Sequence, residues 1–326
     1  MPLARRPIPR PFLVAVGVLA LIVIHTIARI GAPIAVGLGH VAPPAETATQ
    51  PATQPATRAT PDPEQSLILL AAVVLVGAIE AATIAAFTLR ARSRIVPLCA
   101  ALAIIIFGVM SLQAQVESAY FGVLPLATIR DILLMGAIIA CVTSLAAVAL
   151  LPRLHGPRPS LRLALASRTP WSWVWRAIVA SLAYVAIYLI FGYFIAWQDP
   201  AVRDYYHGEA PVSFLAHLSD LATSSPDFFA LQAARGLVWT AIGVLAIATL
   251  RRGRAESALL LALLFAVLLN AQLLIPNPTM PWEVRRMHIL ETVPSNLLMG
   301  ALVGLLFAGR PASRGGPRVA SDPVVE

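Results

Sequence analysis

Residues 67–89 read LILLAAVVLVGAIEAATIAAFTL, followed at once by RARSR. A helix crossing the hydrocarbon core of roughly 30 Å needs about 20 largely apolar residues. This run supplies them with a single ionisable side chain, Glu80, and stops at a cluster of arginines. The pattern recurs. Eight segments meet or approach the criterion, at 12–30, 67–89, 95–114, 129–151, 174–197, 228–250, 257–275 and 290–309. The reading is an all-α, polytopic transmembrane helix bundle of about eight spans.

Composition agrees. Of 326 residues 58% are hydrophobic and 12% charged, and mean hydropathy is +0.79, against about 25% charged residues in soluble domains. The formal charge of +8 comes with 24 basic residues, all arginine. They sit in short clusters between apolar runs, where topology places them, and this argues for a lipid bilayer as partner and against nucleic acid. Cys99 and Cys141 both lie inside apolar runs, so neither a disulfide framework nor a cysteine metal site is expected.

Orientation follows from the arginines of alternate loops. One set holds Arg5, Arg6 and Arg10, then Arg90, Arg92 and Arg94, then Arg153, Arg158, Arg162 and Arg168, then Arg251, Arg252 and Arg254, and finally Arg310, Arg314 and Arg318. Most acids fall on the opposite side, among them Glu46, Asp62, Glu117, Asp199, Asp220, Asp227 and Glu283. Both termini are therefore expected in the cytoplasm, with a bacterial inner membrane as the expected location. The chain divides into a first span with a basic N-terminus (1–41), a linker of Pro, Ala, Thr and Gln (42–66), three spans (67–151), a basic loop (152–173), four spans with a connection at 198–227 (174–309), and a tail (310–326). The first span also fits a cleavable secretory signal, but its apolar stretch continues past Ile24 to Ile30 without an A-x-A site.

Echoes run through the chain in the same order. TLRARSR from Thr88 is matched by TLRRGR from Thr249, an F-x-V begins at Phe107 and at Phe265, and ILLMGA from Ile132 is matched by NLLMGA from Asn296. Two four-helix halves related by a parallel repeat would produce this, because an even number of spans per half preserves orientation.

Ionisable groups within the membrane cost roughly 2.5–3.5 kcal/mol on insertion scales and mark function by default. Glu80 lies about 20 Å along its helix, near the midplane. Arg235 starts about 10 Å inside its span and is expected either to snorkel to the headgroups or to pair with Glu117, Asp131 or Glu291. His288 and Glu291 are three apart and share a helix face, which could supply two metal ligands where three or four are needed. With Asn270 these residues gather toward one side of the membrane and suggest an outward-facing polar cavity. Pro294 is expected to kink the last span. Asp199 and Pro200 read as a helix N-cap and first turn, and Val212, Leu215, Leu218 and Leu221 as the apolar stripe of a short surface helix. His207 and His217 are expected to be solvated. Tyr193 and Trp197, with Trp171, Trp173 and Trp175, read as interfacial anchors. Gly300 and Gly304 form a G-x-x-x-G that would let a helix, or a second copy of the chain, pack closely.

No P-loop, dinucleotide fingerprint, nucleophile elbow or haem motif occurs, and no cofactor is implied. Three function classes stay open. They are a transporter or permease taking a small solute or anion, with Glu80 as proton carrier, a non-catalytic assembly subunit, and a membrane-embedded enzyme acting on a lipid-linked substrate through Glu117, His288 and Glu291.

Overall fold

The structure, a computed structural model, describes residues 9–36, 62–152, 169–206, 208–210, 212–250, 253–277 and 280–309. Most of the linker and the basic loop, the C-terminal tail and His207 lie outside the described residues. Eight helices are long and apolar enough to cross a membrane. We number them in chain order together with two short helices: α1 Arg10–Val36, α2 Pro63–Thr88, α3 Ile95–Tyr120, α4 Leu126–Leu150, α5 Pro170–Ala196, α6 Pro200–Tyr205, α7 Phe214–Ser224, α8 Pro226–Thr249, α9 Arg254–Leu274 and α10 Trp282–Phe307. The described residues form no strand, only an isolated bridge.

The spans outrun their apolar runs. α3 continues to Tyr120 and α10 starts at Trp282, and some of the polar residues that end the hydropathy signal, among them Gln113, Arg285 and Glu291, are buried in the bundle. Local chemistry fixes the helix starts. The Asp62 carboxylate accepts from Glu64 N, the Thr169 hydroxyl from Ser172 N and the Asp199 carboxylate from Ala201 N, each followed by proline in the first turn. These side chains satisfy N–H groups that have no partner inside the helix. α7 begins at Phe214 with Ser213 as its cap and buries none of its residues, as a surface helix should. α10 runs through Pro294 as one helix; the expected kink does not interrupt it.

The helices alternate in direction. On one face Arg92 N donates to Thr249 O at 2.9 Å, Arg90 pairs with Glu256 at 3.4 Å, and Trp173 stacks on Phe307. On the other Tyr120 donates to Asp227 at 3.0 Å, Phe121 packs on Tyr206, and Arg285 Nη1 donates to Leu273 O at 3.0 Å. We call these the arginine face and the acidic face.

Neighbour relations repeat between the first and last four spans. α1 packs on α2 and α4, and α3 on α4; likewise α5 packs on α8 and α10, and α9 on α10. Across the middle, α2 meets α9 and α8 meets α3. The two echoed strings touch, through the antiparallel bridge Ala91–Leu250. Close approaches recur too. Gly136 leaves room for Ser111 between α4 and α3, and the echoed Gly300 lies where a Cβ would stand 2.5 Å from Leu261 O, between α10 and α9. A Cβ on Gly304 would collide with the backbone of Ala258. The G-x-x-x-G is thus filled by α9 of the same chain, and pairing of two copies through Gly300 and Gly304 is not available. The reason is steric: the surface that would admit a second helix already holds one.

Candidate functional site

The intramembrane charges fall into two separate groups. The first joins α1, α2 and α4. Glu80 is fully buried; its Oε2 accepts from His25 Nε2 at 2.8 Å and from Arg29 Nε at 2.6 Å, and Arg29 Nη2 holds Oε1. His25 Nδ1 reaches the Thr143 hydroxyl at 2.7 Å. His25 and Arg29 are four apart, hence on one face of α1. Glu80 therefore has its charge balanced and both oxygens occupied, and it is not among the residues lining the cavity described next.

The second group lines a cavity of about 400 Å³ between α3, α5, α8, α9 and α10, bordered on the acidic face by α6 and α7. Arg235 does not snorkel. It is 5% exposed, its Nη2 donates to Glu117 Oε2 at 2.8 Å and its Nη1 to Gln232 Oε1 at 2.9 Å. The rings of Tyr184 and Tyr188 stand 5.7 and 5.6 Å from the guanidinium carbon, a cation–π arrangement. Tyr188 donates its phenol to the second Glu117 oxygen. Of the three expected partners, Glu117 is the one reached.

His288 and Glu291 form the other pole. Nδ1 donates to Glu291 Oε2 at 3.1 Å, and Nε2 lies 3.0 Å from the Tyr206 hydroxyl. Burial pushes the Tyr206 phenol well above its ordinary range, with Glu117 and Glu291 adding in the same direction, so it remains a donor. Asn270 is buried; Thr292 donates to its side-chain oxygen and its amide donates to Ala266 O at 2.7 Å. Asp131 is elsewhere. It pairs with its neighbour Arg130 at 2.7 Å and does not line the cavity.

Two π turns interrupt the spans around this cavity, Gly108–Leu112 in α3 and Gly192–Ala196 in α5, and residues of the second line it. Each inserts a residue into the helical ladder, a feature concentrated at functional sites. The second brings Gly192 against Glu291, whose Oε1 would stand 3.4 Å from a Cβ there.

Sequence reading missed Tyr184, Tyr188, Tyr206 and Gln232, and took Tyr193 and Trp197 for interfacial anchors. Both line the cavity, and both pack on the ring of His217. Trp171 is exposed, as an anchor should be. His217 is not simply solvated: it too lines the cavity, and burial lowers its pKa from the ordinary 6.5 while Asp220 pulls it upward. A lowered folded value means that the unfolded chain binds the proton more readily. The histidine's contribution is complete above pH 6.5 and is lost as pH falls through the lowered value. The stability advantage of wild type over His217→Gln should shrink in that window; an advantage constant from pH 7.5 to 5 would exclude the effect.

No group of three or more His, Cys, Asp or Glu that could hold a metal ion occurs among the described residues. No protein-family model, no curated protein and no solved structure matches the chain.

Proposed function

We propose that this multi-pass membrane protein is a carrier that takes a small solute into the cavity from the acidic face, with the arginine face and both termini in the cytoplasm of a bacterial inner membrane. The observation that carries the reading is the cavity of about 400 Å³ inside the bundle, with Arg235, Glu117, His288 and Glu291 on its wall. Charged groups in a membrane interior are costly and mark solute or proton paths. Proton-handling falls to the His288–Glu291 pair rather than to Glu80, which is closed off in its own ion triad. A second reading, a membrane-embedded enzyme, is favoured by the hydrogen-bonded chain Tyr206–His288–Glu291, in which a carboxylate orients an imidazole toward a hydroxyl.

Cysteine accessibility separates these. With Cys99 and Cys141 replaced, single cysteines at Asn270 and Ser295 should react with a membrane-impermeant thiol reagent from the acidic face, and one at Glu80 should not. A carrier must also expose its site to the arginine face, so labelling at position 270 in inverted vesicles is expected. Labelling from the acidic face alone would favour the enzyme. Protection of positions 270 and 295 from both faces in a folded protein would sink both readings and leave the assembly subunit.

A further inference from the structure

We infer that the solute is a small organic cation with an apolar body, exchanged against a proton held by His288; this rests on the carrier reading. The charges on the cavity wall decide the sign of the ligand. Arg235 is already engaged, its N–H groups directed at Glu117, Gln232 and Gln113 and its faces at two tyrosine rings. It neutralises Glu117 and has little left to offer an anion. Glu291 is different. It is 7% exposed, and among the described residues its only ion-pair partner is His288. With a neutral imidazole the wall carries one uncompensated negative charge, and with an imidazolium it carries none.

A bound cation and the proton on His288 are therefore alternatives. Cargo arrives as the imidazolium releases its Nε2 proton to solvent, the freed lone pair accepts the Tyr206 hydroxyl, and the cation pairs with Glu291 in its place. No other bond changes. The titratable groups lining the cavity with His288 are Glu117 and Tyr120 on α3, Tyr184, Tyr188 and Tyr193 on α5, Tyr206 at the C-cap of α6, His217 on α7, Arg235 on α8 and its own neighbour Glu291. α9 brings the neutral Asn270 and Gln272.

An aromatic wall completes the site. Ring centroids step from Tyr188 to Phe228 at 5.7 Å, to Phe121 at 6.4 Å, to Tyr206 at 6.2 Å and to His288 at 5.8 Å. The wall spans the cavity from the Arg235–Glu117 pair to Glu291. Aromatic faces attract organic cations and pack apolar bodies, whereas a small inorganic cation would leave this wall unused.

Three probes of nearly equal size test the sign: 2-phenylethylammonium, neutral 2-phenylacetamide and anionic phenylacetate. They are titrated calorimetrically into the full chain in lipid nanodiscs near pH 6.5, in buffers of different ionisation enthalpy. The ammonium should bind at least about tenfold more tightly than the amide and release protons on binding. Glu291→Gln should abolish that preference while Glu291→Asp keeps it, and His288→Asn should remove the proton release. Cation binding no tighter than amide binding overturns the inference, as does proton release that survives His288→Asn. Preferential binding of phenylacetate or the amide, lost on blocking the cavity with Asn270→Trp, overturns the cation and leaves the carrier reading standing. If none of the three binds, the inference fails, and cysteine accessibility decides separately whether the carrier reading fails with it.

Discussion

Replacing Glu117 by alanine is expected to lower the unfolding free energy by about 3–5 kcal/mol, the range for breaking a buried ion pair by removing one partner. The reverse substitution, Arg235→Met, should cost less, and the reason is the asymmetry of burial. Arg235 is 5% exposed at its side chain, whereas Glu117 is 30% exposed and borders the cavity. Without Glu117 the guanidinium remains in the bundle with neutral amide and carbonyl acceptors alone. Without Arg235 the carboxylate keeps the Tyr188 phenol and can be hydrated from the cavity. The double variant should recover part of the loss of Glu117→Ala, because it no longer leaves a guanidinium stranded in the bundle. Thermal unfolding of the four proteins in one detergent gives the cycle. Equal costs for the two single variants would mean that the pair is hydrated from both sides, and the cavity would have to be deeper than described.

Glu80→Ala is the second large effect, again about 3–5 kcal/mol, but with a different signature. It strands Arg29 and His25, 9% and 0% exposed, at the contact of α1 with α2. The result should be loosening of α1, read as weaker cross-linking between cysteines at Thr26 and Gly77. Glu80→Leu combined with Arg29→Met should restore the contact. Since Glu80 does not line the cavity, the carrier reading expects solute binding in the folded fraction to be unchanged. A stable Glu80→Gln protein that has lost solute coupling would return this residue to the transport machinery.

The eight spans were legible because lipid is an undemanding solvent to read: any run of about 20 apolar residues suffices. Position along each span marked Glu80 and Arg235 as residues needing an explanation, and both are buried among other helices. What depth cannot supply is azimuth. Glu117 and Asp131 stand near the same end of adjacent helices, yet one faces Arg235 and the other pairs with Arg130 outside the cavity. A one-residue difference in helical register separates these outcomes by about 100°, and two π turns change the register again. His25 and Arg29, at i and i+4, put a polar stripe on a largely apolar α1 and read from sequence as part of the outer polar cavity; that they meet Glu80 instead is again a matter of azimuth. Tyr184 and Tyr188 have the same spacing on α5 and flank Arg235. Tyr193 and Trp197 read as anchors because interfacial belts and cavity walls draw on the same aromatic residues.

The triad of His25, Arg29 and Glu80 also bears on how the chain is built. During synthesis α1 reaches the bilayer before α2, carrying a guanidinium whose insertion alone costs about 2.5–3.5 kcal/mol. Its counter-charge, Glu80, emerges 51 residues later, on a helix for which an uncompensated carboxylate is a comparable burden. Neither helix is at ease in lipid without the other. The first two spans should therefore leave the insertion machinery together, as a hairpin already paired through its charges, with Thr143 of α4 joining the finished contact from behind.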